Sequence, residues 1–328
     1  MEVLILGAAG MVGRKLSAAI ARDGAIGGTE VTGLILADRI APDAPEGFAG
    51  KATNVACDIA DPTRSAALVA HRPQVIFHLA AIVSGEAETD FDKGYRVNLD
   101  GTRHLFEAIR AEGARAPYRP RVVFASSIAV FGAPFHDPID DAFFRTPQTS
   151  YGTQKAISEL LLDDYSRKGF FDGVAIRLPT ICIRPGRPNK AASSFFSNIL
   201  REPLVGQEAI LPVDESVRHW HASPRAAVGF LLHAASLPMD RLGNRRALTM
   251  PGLSATVGEQ IEALRRVAGD KAVRLIRHEP DPMIDRIVSG WPRTFAAERA
   301  EALGFRAEKS FDEIIRVHIE DELGGRIG

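Results

Sequence analysis

Two residues with the spacing needed for proton transfer, Tyr151 and Lys155, lie in the segment Tyr-Gly-Thr-Gln-Lys. A separation of four residues places both side chains on one face of a helix, one turn apart. A tyrosine hydroxyl is a poor base near neutral pH because its reference pKa is about 10, but a neighbouring ammonium favours the phenolate. The spacing therefore predicts a helical pair that removes a proton from an alcohol. The alternative is a half-buried aromatic residue at the start of an amphipathic helix.

Ser127 and Asn98 are further polar residues at positions suited to holding a substrate or a neighbouring segment. Ser127 directly follows the apolar run that we predict to be the fifth strand, and ligands of parallel sheets bind at the carboxyl ends of strands. Its hydroxyl is a candidate ligand for the substrate oxygen, with a polar loop cap as the alternative. Asn98 falls inside a predicted helix, where asparagine is not favoured. We expect it to bond backbone and hold a water, or else to face solvent.

Three glycines at positions 7, 10 and 13 follow the first apolar run and begin a helical pattern. This context suits a bare backbone turn that approaches a pyrophosphate at a helix N-terminus, the alternative being a purely structural turn. Asp38, after the second predicted strand, can accept hydrogen bonds from ribose hydroxyls and would repel a 2′-phosphate, which favours NAD over NADP, although Arg39 would suit the phosphate. The dinucleotide ligands predicted from this pattern are Gly7, Gly10, Met11, Val12, Gly13, Asp38, Asp58, Ile59, Ala80 and Ala81.

The elements that must position these residues alternate in type along the first half of the chain. Short apolar runs predict strands at Val3–Leu6, Val31–Ala37, Asn54–Ala56, Val75–Leu79, Val122–Ala125 and Val174–Arg177. Strands that alternate with helices predict an α/β fold with a doubly wound parallel sheet of the Rossmann type. Frequent prolines interrupt the pattern after Leu178. We therefore predict an NAD-binding domain over residues 1–178 and a smaller, mainly substrate-binding lobe over 179–328, from which a segment can return to the first domain.

Composition narrows the class of protein. The net charge is −1, which offers no bulk attraction to nucleic acid or to an anionic membrane. The 2 cysteines in 328 residues form no disulfide framework, and no apolar stretch suffices to span a bilayer. We expect a cytoplasmic protein that binds a small molecule. Helices flanking an extended sheet are compatible with a homodimer.

In their order along the chain, the motifs resemble those of the extended short-chain dehydrogenase/reductases, the NAD-dependent epimerase/dehydratase superfamily. They are the glycine loop, the acid at position 38, Arg96-Val97-Asn98, the run from Ser127 to Gly132, and Tyr151-x-x-x-Lys155. The resemblance implies Tyr151 as general base, Lys155 as the residue that tunes it and binds the ribose, Ser127 as ligand of the substrate oxygen, and Asn98 as support. The implied NAD contacts add Leu79, Asn98, Tyr151, Lys155, Pro179 and Thr180 to the list.

Two stretches indicate which branch of the superfamily is involved. Ile128 and Ala129 stand where dehydratases carry Asp-Glu, so the groups for eliminating water are missing. Pieces between Tyr151 and Leu204, including Arg184-Pro185-Gly186, are similar to D-erythronate dehydrogenases. This similarity implies oxidation of a four-carbon sugar acid at C2, giving the 2-keto acid and NADH.

A sugar-acid substrate needs cations for its carboxylate and polar groups for its hydroxyls. The alternative interpretation of each candidate is a solvated surface residue that binds no ligand. The arginine at 218 would also suit a diphosphate. The histidines at 219 and 221 fit alternation along a short strand better than metal binding, and the predicted chemistry needs no metal. The candidate substrate ligands are Ser84, Ser127, Tyr151, Arg184, Asn189, Lys190 and Arg218.

Two other functions use the same nucleotide site. A nucleotide-sugar epimerase would keep NAD tightly bound and regenerate it in each turnover, so free NADH would not accumulate. A non-catalytic NAD-binding redox sensor would have no reason to keep Ser127, Tyr151 and Lys155 at the observed spacing.

Overall fold

A computed structural model of the protein describes residues 1–186 and 192–328. The chain divides into two compact units, each composed of separate stretches. The first unit comprises Met1–Val130, Pro147–Leu178 and Val228–Thr249, and the second comprises Phe131–Thr146, Pro179–Ala227 and Met250–Gly328. The assignment of NAD to the first unit and of substrate recognition to the second stays a prediction.

The strands and helices are numbered here in chain order. The strands are β1 (Glu2–Leu6), β2 (Ala25–Ile26), β3 (Thr29–Glu30), β4 (Gly33–Asp38), β5 (Lys51–Ala56), β6 (Val75–His78), β7 (Arg121–Ser127), β8 (Asp172–Leu178), β9 (Thr180–Ile181), β10 (Ala209–Leu211), β11 (Arg218–Ala222), β12 (Ala247–Thr249), β13 (Leu253–Thr256) and β14 (Ile276–His278). The α-helices are α1 (Met11–Asp23), α2 (Pro62–Val69), α3 (Ser84–Thr89), α4 (Phe91–Gly94), α5 (Gly101–Arg115), α6 (Ser150–Arg167), α7 (Ser194–Leu204), α8 (Pro224–Ser236), α9 (Val257–Val273), α10 (Pro282–Ser289), α11 (Glu298–Ala302) and α12 (Phe311–Leu323). A π-helix spans Tyr95–Asp100, and 3₁₀ turns span Ile128–Val130 and Met239–Arg241.

The first unit is built on a seven-stranded sheet in the order β12-β8-β7-β6-β1-β4-β5, and every pair in it is parallel. The strand order reverses at β1, which pairs with β4 on one side and β6 on the other. Such a switch point opens a crevice beyond the carboxyl ends of the strands, where ligands of open α/β sheets bind. The predicted doubly wound parallel sheet is therefore confirmed.

The strands in the middle of the sheet match their predicted positions because both of their faces are buried. In β1, Val3, Leu4 and Ile5 are fully buried, as expected for a strand covered on both sides. The edge strand β5 starts at Lys51 rather than at the predicted Asn54, since its largely exposed residues give no apolar run. The other edge strand, β12, has three residues and was not predicted from the sequence.

The second unit has its own small sheets and its own core. One sheet has the order β13-β11-β9, and β10 pairs with β14. Helices α7, α9 and α12 supply most of the buried apolar side chains, among them Phe196, Leu200, Leu264 and Ile314. Among the helices of the described residues, none combines the length and the apolar composition needed to cross a membrane.

Candidate active site

The loop after β1 adopts a conformation that only glycine supplies easily. Gly7 has a φ of +88°, and a Cβ atom at this position would lie 2.7 Å from the backbone nitrogen of Ala80. The loop therefore passes directly over the end of β6, at the switch point of the sheet. The predicted ligands Leu79 and Ala80 are both partly exposed beside it.

Gly13 has a packing role in the same loop. A Cβ atom there would lie 2.2 Å from the carbonyl oxygen of Gly7, so α1 can start this close to the loop only with glycine at position 13. The first turn of α1 reads Met-Val-Gly-Arg and contains no carboxylate. Its free N–H groups and the helix dipole suit a pyrophosphate, and Gly10, Met11 and Val12 are all at least partly exposed there.

Asp38 ends β4 and is tied to the glycine loop. Its carboxylate accepts hydrogen bonds from the backbone N–H of Ala9 at 3.0 Å and of Arg39 at 2.7 Å. A carboxylate has about four lone-pair positions, so capacity remains for ribose hydroxyls. The Arg39 side chain is exposed. These contacts fix the carboxylate beside the loop, which is the geometry that the NAD prediction requires.

Asp58 and Ile59, two of the predicted dinucleotide ligands, differ in exposure. Asp58 is exposed, accepts a hydrogen bond from the backbone N–H of Ala60 at 3.0 Å and pairs with Arg96 at 3.5 Å. The Ile59 side chain is buried, and a Cβ atom at Gly101 would lie 2.8 Å from its Cγ2 atom. Ile59 therefore packs in the core against the start of α5.

The start of α6 brings Tyr151 towards the end of β7. The Thr149 side chain caps the helix by accepting a hydrogen bond from the N–H of Gly152 at 3.1 Å. A Cβ atom at position 152 would lie 2.1 Å from the carbonyl oxygen of Ala129. The glycine inside the Tyr-Gly-Thr-Gln-Lys segment thus allows α6 to contact the turn that follows Ser127.

Ser127, Tyr151 and Lys155 come together as the sequence predicts. The Tyr151 side chain lies beside Ser127, whose Oγ accepts a hydrogen bond from the N–H of Ala129 at 3.1 Å. The Lys155 Nζ atom donates to the carbonyl oxygen of Ala125 at 2.7 Å and lies 5.6 Å from the centre of the Tyr151 ring. A phenol, an ammonium and a serine hydroxyl therefore share the carboxyl end of β7.

Burial acts on both ionisable members of this group. It raises the pKa of Tyr151 to about 12, against the opposing effect of the neighbouring Ser127 hydroxyl. Burial also lowers the pKa of Lys155 to about 7, against the negative charge of Glu159. The protein alone thus keeps the phenol protonated at neutral pH. A further positive charge beside Tyr151, such as the ring of oxidised nicotinamide, would favour the phenolate, and the residues of the site therefore fit an NAD cofactor.

Asn98 lies in the π-helix and is 2 % exposed. Its Oδ1 atom accepts from the N–H of Ile82 at 2.9 Å, while Nδ2 donates to the Ile82 carbonyl at 3.2 Å and to Gln154 Oε1 at 2.7 Å. Of the alternatives considered, the backbone bond is present and exposure to solvent is excluded. Asn98 therefore links the segment after β6 to α6, because its partner Gln154 directly precedes Lys155 on that helix.

Three buried residues that the sequence analysis did not select complete this network, namely Gln154, Thr102 and His78. The Thr102 hydroxyl donates to the carbonyl oxygen of Asn98 at 2.6 Å and lies 2.8 Å from His78 Nε2. Since the hydroxyl proton is used, His78 Nε2 carries the proton that bonds Thr102. Two features of the sequence could have pointed to these residues, namely a histidine that ends an apolar strand and a glutamine beside Lys155.

Comparison with known proteins agrees with this arrangement. Residues 3–228 match the profile of the NAD-dependent epimerase/dehydratase family. The chain belongs to this family. The predicted superfamily and its NAD cofactor are thereby confirmed, whereas the roles of individual residues stay predictions.

Three relatives align with this chain over nearly its whole length. A D-erythronate dehydrogenase from Cupriavidus necator is 46% identical over 98% of both chains. Another from Haemophilus influenzae is 41% identical over 98% of this chain and 100% of its own. A crystal structure described as a nucleoside-diphosphate-sugar epimerase from Agrobacterium tumefaciens is 66% identical, with a TM-score of 0.98, and covers 100% of this chain and 96% of its own.

The two arginines predicted to bind substrate in this family member differ in their surroundings. Arg184 donates to the carbonyl and the hydroxyl of Ser193 at 3.2 and 2.7 Å, and within residues 1–186 and 192–328 it forms no ion pair with a carboxylate. Burial lowers the pKa of its guanidinium. Arg218 pairs with Glu259 at 3.2 Å, and their side chains are 35% and 55% exposed.

The remaining predicted contacts are distributed over both units. Ser84 begins α3 in the first unit and is partly exposed. Pro179 is buried and Thr180 is partly exposed at the start of the segment that follows β8. Asn189 and Lys190 lie outside the described residues.

His219 and His221 lie on β11, the short strand that their alternation predicts, and both are buried. His219 Nδ1 lies 2.9 Å from the carbonyl of Pro292, so this nitrogen carries the proton, and Nε2 accepts from the Thr180 hydroxyl at 2.7 Å. His221 Nε2 lies 3.1 Å from Gln260 Nε2. Thr180 is thus held by an imidazole and keeps its oxygen lone pairs for an incoming donor.

Proposed function

We propose that this protein is an NAD-dependent dehydrogenase that oxidises the C2 hydroxyl of D-erythronate to 2-dehydro-D-erythronate and releases NADH. The observation that carries the proposal is the 46% identity to a D-erythronate dehydrogenase over 98% of both chains. The juxtaposition of Tyr151 and Ser127, with Lys155 beside them, supports alcohol oxidation as the reaction type.

In the proposed reaction Tyr151 is the general base. Its oxygen takes the proton of the C2 hydroxyl, the C2–H bond breaks, and a carbonyl forms at C2. NAD supplies the acceptor for the hydride. Ser127 holds the substrate oxygen against the phenol, and the Lys155 ammonium stabilises the phenolate. The products are the 2-keto acid, NADH and one proton, which leaves through Tyr151.

The carboxylate of the substrate needs a cationic ligand, and we propose Arg184 for this role. A guanidinium is suited to bidentate binding of a carboxylate. Arg184 is bonded to Ser193 but forms no carboxylate pair within the described residues, whereas Glu259 already neutralises Arg218. Ser84 and Arg218, together with Asn189 and Lys190, stay predicted contacts of the substrate.

A nucleotide-sugar epimerase is the second candidate, and one observation favours it. The Agrobacterium relative that is 66% identical is described as such an enzyme. An epimerase needs the same base and the same cofactor, so the residues around Tyr151 do not distinguish the two reactions. The fate of the hydride does, because only a dehydrogenase releases NADH in each turnover.

The experiment is a measurement of NADH absorbance with purified protein, added NAD and a panel of substrates. The panel contains D-erythronate, its C2 epimer, other four-carbon acids, uronates and UDP-sugars. We expect NADH to accumulate in proportion to D-erythronate. Interconversion of a UDP-sugar without net NADH would overturn the proposal in favour of the epimerase. A cytoplasmic location and a homodimer stay predictions, and sedimentation analysis of the purified protein checks the second.

A further inference from the structure

A buried ion pair lies on the same helix as Tyr151 and Lys155. Glu159 follows Lys155 by four residues on α6, just as Lys155 follows Tyr151. The Glu159 side chain is 0% exposed and that of Arg177, on β8, is 8% exposed. Arg177 Nε donates to Glu159 Oε1 at 2.9 Å and Nη2 donates to Oε2 at 2.8 Å. This is a bidentate arrangement, the strongest geometry for such a pair.

Ser126 connects this pair to the end of β7. Its hydroxyl donates to Glu159 Oε1 at 2.6 Å, and Ser126 is the direct neighbour of Arg177 across the β7–β8 pairing. Ser126 is also the residue before Ser127. The same carboxylate therefore links α6, which carries Tyr151 and Lys155, to the strand that carries Ser127.

A buried carboxylate of this kind is costly to remove from water and is not explained by stability alone. Replacing a buried ion pair by apolar residues of similar size is often neutral or stabilising. Its location is specific, however, because its negative charge lies one helical turn from Lys155. Burial lowers the pKa of Lys155 to about 7, and the charge of Glu159 opposes this effect.

We propose that Glu159, held by Arg177 and Ser126, is a positioning residue that keeps Lys155 an ammonium beside Tyr151 and keeps α6 at the end of β7. The role assigned to Lys155 rests on the proposed function. The ammonium is present below the pKa of Lys155 and is lost as the pH rises through it. Without the Glu159 charge, the ammonium is therefore lost at a lower pH.

Among the described residues, the other groups that surround Lys155 do not supply this charge. On α6 the neighbour is Tyr151, which is neutral near pH 7 because burial raises its pKa to about 12. On β6 it is His78, whose pKa burial and the Lys155 charge lower to about 3, so that the imidazole is neutral. On β7 Lys155 meets the Ala125 carbonyl and the Phe124 ring, and on β8 Arg177 is a cation bound to Glu159.

The test is an NMR titration of the full-length protein without cofactor, labelled with ¹³C at lysine Cε. A Lys155→Met variant identifies the Lys155 signal. We expect Lys155 in the wild type to titrate near the pKa of about 7. In Glu159→Gln it should titrate about one pH unit lower. In Glu159→Asp, which keeps the charge, the midpoint should lie closer to the wild-type value than it does in Glu159→Gln.

The matched control is Glu112→Gln, which breaks the Arg72–Glu112 pair of the same unit, where the distance is 2.6 Å. This variant should leave the Lys155 titration unchanged. Since Glu159→Gln removes the carboxylate that binds the buried Arg177 and can fail to fold, the double variant Glu159→Gln/Arg177→Met removes both charges and should also lower the midpoint. An unchanged midpoint in either folded variant overturns the proposal.

A kinetic measurement separates this inference from the proposed function. With D-erythronate and NAD, Glu159→Gln should lower kcat about tenfold at neutral pH with KM for the acid nearly unchanged, and activity should fall at a lower pH than in the wild type. The NMR titration requires no substrate. A wild type that forms no NADH with any acid thus contradicts the proposed function alone, whereas an unmoved Lys155 midpoint contradicts the role of Glu159 alone.

Discussion

The candidate catalytic residues of the first unit lie together at the end of one strand, whereas the candidate arginines of the second unit are separate. In the first unit Tyr151 lies beside Ser127, and Lys155 donates to the strand that carries Ser127. In the second unit Arg184 is bonded to Ser193, and Arg218 is paired with Glu259. Proton transfer needs fixed distances and fixed protonation states, while recognition of a carboxylate needs a cation that can exchange its partner.

This difference predicts two kinds of kinetic effect. A change among the clustered candidate residues of the first unit should act on kcat, because it alters the reacting group or its position. A change at an arginine of the second unit should act on KM, because it removes binding that the substrate and the transition state share. Each variant below tests one side of this contrast.

The largest effect is expected for Tyr151→Phe. Loss of the ionisable oxygen should lower kcat by about 10³-fold or more, because general base catalysis typically contributes factors of this order. NAD binding should persist, as measured by isothermal titration calorimetry. Tyr165→Phe is the matched control on the same helix, since its hydroxyl donates to Glu107 instead. Turnover of Tyr151→Phe comparable to that of the control would exclude Tyr151 as the base.

The first unit was largely predictable because its chemistry depends on short spacings. Four residues on a helix bring Tyr151 and Lys155 to one face, and glycines at 7 and 13 permit close approaches that any larger side chain would block. The bonds of Asn98 to Ile82 and Gln154 were not predictable, because they join segments 16 and 56 residues away. Such partners are determined by the packing of α6 against the π-helix.

The second unit was less predictable for a related reason. Whether an arginine is available to a substrate depends on its partners, and those are distant in sequence, as with Arg218 and Glu259, which lie 41 residues apart. Composition and spacing identify both arginines as candidates but do not rank them. The ranking comes from burial and pairing in the folded chain.

Arg184→Gln should therefore have the second largest effect, and it sharpens the contrast between kcat and KM. Hydrogen bonds to charged groups contribute about 1.5–3 kcal/mol, so KM for D-erythronate should rise about 10- to 100-fold with kcat nearly retained. Arg218→Gln should change KM by less than about threefold, because its exposed pair with Glu259 contributes little. Steady-state kinetics check both. A larger effect at Arg218 than at Arg184 would reverse our assignment of the carboxylate ligand.

Apart from the comparison variants, the smallest effect is expected for Asp38→Asn, which tests whether the first unit also contains residues that act on binding alone. The amide keeps the size of the side chain but removes the charge that repels a 2′-phosphate, so the preference of kcat/KM for NAD over NADP should fall about tenfold. Asp58→Asn is the comparison, because Asp58 is exposed and pairs with Arg96, and it should weaken both cofactors equally. The measurement is kcat/KM for each cofactor at saturating D-erythronate. An unchanged cofactor preference in Asp38→Asn would contradict the assignment of Asp38 as a ligand of the ribose. The hydrogen bonds that Asp38 accepts from Ala9 and Arg39 would then have a structural role only.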